Sequence, residues 1–314
     1  MPNAVTGTVI KSTGSWYQVK TDEGDIKECR IRGKFRLEEI QSTNPVAVGD
    51  RVQLGKGEGE DTIVITGIEE RQNYIVRRSP KHRKARHILA ANLDMAYVLA
   101  TMSKPRTSTG FIDRFIITAE ANKIPVSIIF NKQDAYEKKD FEKLVYFKSI
   151  YENIGYPCFV VSALTGHNMN QIMALMKNKT TLLAGHSGVG KTTFINFLSP
   201  SLKLKTREIS QFHEKGKHTT TFAEMFELPF GGGIIDTPGI KEFGVLDFEP
   251  EDVSHYFVEM KDRISNCKYN NCQHKDEPGC EIIEAVEKGE LHSERYKNYL
   301  NILEDVKKTS RHWE

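Results

Sequence analysis

This 314-residue chain has no long apolar run. No stretch approaches the roughly 18 apolar residues of a membrane-spanning helix, and the opening MPNAVTGTVIKSTG has no apolar core of signal-peptide length. A cytoplasmic protein without a membrane partner is the expectation. Cysteine is scarce too, and three of the five residues, Cys267, Cys272 and Cys280, crowd together near the C-terminus. That clustering argues against a disulfide framework and for a metal. Acid is missing where base is dense: Arg71 to Leu93 holds seven Lys or Arg and no Asp or Glu. The net charge of +2 therefore conceals a basic strip where a polyanion is expected, while residues after Asp247 lean acidic. Core-forming residues are plentiful. A hydrophobic content of 39% beside 27% charged residues excludes a disordered chain, and the length suits two or three domains.

Residues 1–70 read as short strands, AVTGTVIKS, SWYQVKT, KECRIRGKF, VGDRVQL and DTIVITGIEER, with partial alternation and Gly, Asp or Asn between them. Such a run suggests an OB-type β-barrel ahead of other small barrels or sandwiches. Arg30, Arg32, Lys34 and Arg36 alternate, which puts four basic side chains on one strand face; a nucleic-acid surface and a solvated face both fit. Residues 71–87, ending in RRSPKHRKARH, read as a basic linker. From 88 to 245, the apolar runs LDMAYVLAT, PVSIIFNK, CFVVSA, TTLLAG and GGIIDTPG alternate with helical stretches such as FIDRFIITAEAN and NMNQIMALMKN. Apolar strands between helices predict an α/β, doubly wound, mostly parallel sheet. Residues 246–314 read as helical. Val253, Tyr256, Phe257, Met260 and Ile264 recur at helical core spacing, and a second helix near 293–309 carries Tyr296, Tyr299, Leu300 and Leu303 on one side.

GHSGVGKTT, Gly185 to Thr193, matches the phosphate-loop pattern G-x-x-x-x-G-K-[ST] through Thr192. It follows one predicted strand and opens a helix, as that chemistry requires. Backbone N–H groups of Gly185, His186, Ser187, Gly188, Val189 and Gly190 can wrap phosphates at the positive end of the helix dipole. Lys191 can reach the outer phosphates, and Thr192 can offer its hydroxyl to Mg²⁺. DTPG follows: Asp236 is placed to hold Mg²⁺ through water, and Gly239 can offer an N–H to the last phosphate. HTTT, His218 to Thr221, lies between them, with Thr220 or Thr221 as the second Mg²⁺ hydroxyl.

NKQD, Asn131 to Asp134, follows the buried run PVSIIF. A carboxylate at Asp134 can accept both the N1–H and the exocyclic amino group of guanine. Adenine lacks that donor pair. Asn131 can meet the other polar edge of the purine, and the Lys132 stem can lie over the ring. Ser162 and Ala163 follow another strand and can turn backbone N–H toward the guanine O6. The ligand is then GTP or GDP. In CKYNNCQHKDEPGC, the spacing C-x₄-C-x-H-x₅-C of Cys267, Cys272, His274 and Cys280 supplies three thiolates and an imidazole. That set makes a closed tetrahedral zinc site of structural type, with no open catalytic position.

Along the chain the nucleotide parts run base, base, phosphate, switch, switch. Loops at the carboxyl ends of strands can be visited in another order if the natural termini are joined and the chain is cut elsewhere. The set NKQD, SA, GHSGVGKTT, GKHTTT and DTPG, between a barrel and a Cys/His cluster, resembles the circularly permuted GTPases of the ribosome small-subunit-dependent RsgA or YjeQ type. The resemblance covers nearly the whole chain. It implies an N-terminal OB-type barrel (1–70), a circularly permuted P-loop GTPase domain (88–245) and a zinc-binding helical C-terminal domain (246–314) with the four ligands above. It also implies a monomer that hydrolyses GTP to GDP and phosphate. Its partner would be the small (30S) ribosomal subunit with its 16S rRNA, in late maturation.

Ile240 stands where many GTPases carry the glutamine that orients the attacking water. Slow intrinsic turnover follows, with His218 or the ribosome completing the site. The permuted order also joins the second switch directly to the C-terminal unit, so loss of the last phosphate could reposition that unit. Two other readings compete: a GTP-gated RNA-binding module with negligible catalysis, and a P-loop ATPase or kinase in which NKQD is accidental.

Overall fold

The computed structural model describes residues 5–31, 45–57, 62–78, 86–204, 223–236 and 248–311. The first strands are β1 (Val5–Ser12), β2 (Tyr17–Thr21), β3 (Ile26–Ile31), β4 (Arg51–Lys56) and β5 (Ile63–Ile68). Alternation decides their faces: Tyr17 and Val19 of β2 point inward, and Gln18 and Lys20 point out. Val9, Tyr17, Val19, Cys29, Val52, Leu54 and Ile65 fill the interior. The strands order as β1-β2-β3-β5-β4, and β1 pairs with β4 to close the barrel. β3 and β5 run parallel and every other pair is antiparallel, which is the OB arrangement.

The stretch 71–87, read above as a linker, is built otherwise at its ends. β6 (Tyr74–Arg78) and β7 (Arg86–Ala91) form an antiparallel hairpin. Ile75, Ala90 and Leu93 are buried in the main core with Val48 of the barrel segment. The run of positive charge hides this apolar pattern. Arg71 donates to both carboxylate oxygens of Asp50 at 2.7 Å. Gly49, at φ +94°, lies so close to the hairpin that a Cβ there would sit 2.1 Å from the Ala91 carbonyl oxygen.

The next strands are β8 (Met95–Ala100), β9 (Val126–Phe130), β10 (Cys158–Val160), β11 (Lys179–Ala184), β12 (Glu224–Glu227) and β13 (Gly232–Asp236). They order as β10-β9-β8-β11-β13-β12, all parallel except β12. Alternate residues of β8 enter opposite cores. Ala96, Val98 and Ala100 face helices α1 (Thr109–Ala121) and α2 (Lys138–Glu152), while Tyr97 and Leu99 face α3 (Met169–Met176) and α4 (Lys191–Leu198). This is the doubly wound sheet. Lys11 of β1 also pairs with Glu224 of β12, so barrel and sheet are joined along one edge.

The C-terminal unit contains α5 (Val258–Lys261), α6 (Glu281–Glu287) and α7 (Ser293–Arg311). Val253, Phe257 and Met260 are core residues, as their spacing predicts, but no single helix carries them. A 3₁₀ turn over Val253–Tyr256 is followed by extended backbone at Phe257 (φ −92°, ψ 101°). The unit packs on α1, whose Ile117 belongs to its core. Buried Arg295 donates to Asp113 of α1 at 2.6 Å and to both carboxylate oxygens of Glu259 at 2.7 and 2.9 Å. Asn298 and Tyr151 also donate to Asp113. Repositioning the C-terminal unit alone therefore means extracting Arg295 from α1; otherwise α1 must travel with it. Among the described residues, no helix is long and apolar enough to cross a membrane.

Candidate functional site

Four sequence motifs that are far apart in the chain meet at one edge. NKQD follows β9, Ser162-Ala163 follows β10, the phosphate loop follows β11, and Asp236 ends β13. Those strands are parallel, so their carboxyl ends share the rim where open α/β sheets hold ligands. Asp236 pairs in register with Leu183 of β11.

The phosphate loop depends on its glycines. A Cβ at Gly185 (φ +156°) would lie 2.6 Å from the Leu99 carbonyl oxygen, and one at Gly190 (φ +96°) would lie 2.6 Å from the Asn131 amide nitrogen. Helix α4 begins at Lys191, whose ammonium donates to the carbonyls of Gly185 (2.6 Å) and His186 (3.0 Å). Thr192 and Asp236 are both buried. Burial pushes the Asp236 carboxyl above its usual range, and the Lys191 charge acts against that shift. His186 lies on the Phe111 ring with centroids 3.8 Å apart. Burial, then Lys191, holds its imidazole below the ordinary value. Ser187 and Gly188 are exposed, Val189 is buried, and Thr193 is half-buried.

Asn131 makes a structural tie as well. Its amide nitrogen donates to the Val189 carbonyl at 2.9 Å, and its oxygen accepts from the Ala163 N–H at 3.0 Å. The residue is buried and ties the phosphate loop to the Ser162-Ala163 loop. Lys132 has a left-handed backbone (φ 64°), and its ammonium donates to the Lys104 carbonyl at 2.9 Å. Asp134 is exposed and accepts from the Ser162 hydroxyl at 2.5 Å. Ser162 itself is fully buried, so it fixes the direction of that carboxylate. The sequence reading missed Tyr136, which donates to the Asn131 carbonyl at 2.7 Å, and Phe111 beneath His186. Neither carries a motif signal; only proximity identifies them. His218, Thr220, Thr221 and Gly239 lie outside the described residues, as do Arg32, Lys34 and Arg36.

The second cluster has its own geometry. The ligand atoms of Cys267, Cys272, His274 and Cys280 all lie within 4.8 Å of one another. His274 Nδ1 is 3.5 Å from Cys267 Sγ and 3.4 Å from Cys280 Sγ, and those sulfurs are 4.0 Å apart. Metal–sulfur bonds of about 2.3 Å and a metal–nitrogen bond of about 2.0 Å give tetrahedral edges of roughly 3.5–3.8 Å. The set fits a metal ion. Burial, aided by neighbouring thiols, pushes the Cys272 thiol up to about 12. A cation at the centre would reverse that preference. The ligand loop is clamped from α7: Tyr296 donates to the His274 carbonyl at 2.8 Å and Tyr299 to the Gln273 carbonyl at 2.7 Å.

Comparison with known proteins agrees with this arrangement. A family model described as RsgA GTPase matches residues 68–246, and one described as RsgA N-terminal domain matches residues 6–64. The small ribosomal subunit biogenesis GTPase RsgA of Bacteroides fragilis is 55% identical over 299 residues, covering 95% of this chain and 96% of that protein. The protein of the same name from Flavobacterium psychrophilum is 48% identical over 309 residues, covering 98% and 95%. Crystal structures of YjeQ from Thermotoga maritima and of YloQ, a circularly permuted GTPase, superpose with TM-scores of 0.78 and 0.74. They are 34% and 29% identical, covering 96% and 98% of this chain and 98% and 96% of theirs.

Proposed function

This chain belongs to the RsgA GTPase family, and on that premise we propose that it binds the small (30S) ribosomal subunit and acts in its late maturation, hydrolysing GTP with stimulation by the subunit. One observation supports the nucleotide reading above all. Base-reading and phosphate-reading loops share one rim, and the buried Asn131 amide ties them together. Gly185 to Thr193 wrap the phosphates, with Lys191 on the outer ones. Asp134, aimed by Ser162, accepts from guanine, the Lys132 stem covers the ring, and the Ala163 loop meets O6. Thr192 and Asp236, with Thr220 or Thr221, would hold Mg²⁺, which neutralises phosphate charge when bound. Gly239 contacts the last phosphate, and His218 positions the attacking water. Cys267, Cys272, His274 and Cys280 would hold one structural Zn²⁺. The barrel and the basic hairpin meet 16S rRNA, and the protein acts as a cytoplasmic monomer.

The test is the GTP turnover of the full chain with purified small subunits, with large subunits and alone. Stimulation by small subunits, lost in His218→Ala with GTP binding retained, is the expected result. Turnover that no ribosomal particle changes would favour a GTP-gated binding module instead. Asp134→Asn is expected to exchange guanine for xanthine preference, and unchanged GTP affinity would remove Asp134 from the base site.

A further inference from the structure

Two lysines of the barrel reach across to the GTPase sheet. Lys11 Nζ lies 2.9 Å from Glu224, and Lys20 pairs with Glu227. Both glutamates belong to β12. Along the backbone Lys11 faces Glu224, Glu224 faces Asp236, and Asp236 faces Leu183. The barrel is thus bonded to the outer strand of the hairpin that ends in Asp236. The same outer face of β1–β3 carries other recognition chemistry. Lys11 borders a cavity of about 280 Å³ with Trp16, Gln18 and Glu28, and the Arg30 guanidinium lies 4.0 Å over the Trp16 ring. Ammonium groups beside an aromatic platform and a cavity suit single-stranded RNA, whose phosphates and bases need those partners. Glu28 repels phosphate from its side, which leaves the RNA backbone to the lysines.

We propose that Lys11 and Lys20 form an exchangeable latch: phosphates of RNA bound on this face take the two ammonium groups from Glu224 and Glu227 and loosen β12 from the barrel. The inference rests on the reading that the barrel meets rRNA. Exchange is easy because all four side chains are between 37 and 50% exposed, so each pair adds little that a phosphate cannot replace. The latch also works in reverse. Any change in nucleotide state that shifts the β12–β13 hairpin changes RNA affinity by the factor with which RNA changes nucleotide affinity.

The test uses the full chain and a labelled single-stranded RNA of about 15 nucleotides, near the span of one OB barrel. Kd is read at fixed salt with GDP and with a non-hydrolysable GTP analogue. Glu224→Gln/Glu227→Gln is expected to bind RNA about three- to tenfold more tightly than wild type, the range two exposed ion pairs can carry. It should also lose the difference between the two nucleotides. Lys11→Gln/Lys20→Gln is expected to bind about tenfold more weakly. A charge-swapped chain, K11E/K20E/E224K/E227K, keeps the pairs with reversed polarity; it should lose RNA binding while keeping its Tm, which separates the latch from misfolding. Unchanged RNA affinity in the double glutamine variant overturns the latch. So does a wild-type chain that binds no RNA while small subunits still stimulate its turnover, a result that leaves the proposed function standing. If both responses are absent, the two fall together.

Discussion

The GTPase domain meets its two neighbours through ion pairs in opposite settings. At the barrel, Lys11–Glu224 and Lys20–Glu227 stand 37–50% exposed. At the C-terminal unit, Arg295 is 1% exposed, between Asp113 at 0% and Glu259 at 7%. Water screens the first set, so each pair contributes about 0–1 kcal/mol. The second set has no water to return to. Removing one member strands a buried charge, at about 3–5 kcal/mol. Burial makes one contact exchangeable and the other a bolt. The C-terminal unit and α1 are therefore expected to respond to nucleotide as one body, and the barrel as a separable one.

The largest break in that comparison comes from the metal cluster. Structural zinc binding is worth about 10–16 kcal/mol and is inseparable from local folding. Cys272→Ser/Cys280→Ser should melt the C-terminal unit and leave the barrel folded, so that calorimetry shows a smaller unfolding enthalpy than wild type and metal analysis shows no zinc. Next comes the bolt itself. Arg295→Ala should lower stability by about 3–5 kcal/mol in urea unfolding, and Arg295→Met with Asp113→Asn and Glu259→Gln should recover part of the loss because no charge is left stranded. An intermediate case sharpens the rule. Arg71 is 19% exposed and Asp50 is fully buried. Arg71→Ala should cost about 2 kcal/mol, since among the described residues the Asp50 carboxylate then keeps only the Ala47 N–H partner at 2.8 Å. The smallest effect belongs to the seam. Lys11→Gln should change stability by less than about 1 kcal/mol, and the change should vanish in high salt. If the Arg295 and Lys11 variants proved equal, exposure would not be what separates the two contacts.

The parts of the molecule legible in the sequence are those where residue identity is itself the chemistry. GHSGVGKT, NKQD and the Cys/His spacing each point to a ligand class from residue types alone, and alternation was enough to reveal the barrel. What stayed hidden depends on partners distant in the chain. The tie made by Asn131 was not legible because its two loop partners lie 32 and 58 residues away. EMFE of β12 carries a charge at each end and completes its edge only against another unit. The hairpin of β6 and β7 was masked by its own arginines. Arg295 sits in an amphipathic helix where an arginine usually faces water, and only the tertiary fold reveals Asp113 and Glu259 around it.

The Asn131 tie also has a consequence in time. Its amide and the Val189 carbonyl are made 58 residues apart. At about 5–20 residues per second, the growing chain passes roughly 3–12 s between the two. Throughout that interval the NKQD segment has been made and the GHSGVGKTT loop is incomplete. The tie therefore closes only in the second half of synthesis. On the proposed function, a chain released before Val189 would carry the guanine motif without the loop that wraps the phosphates.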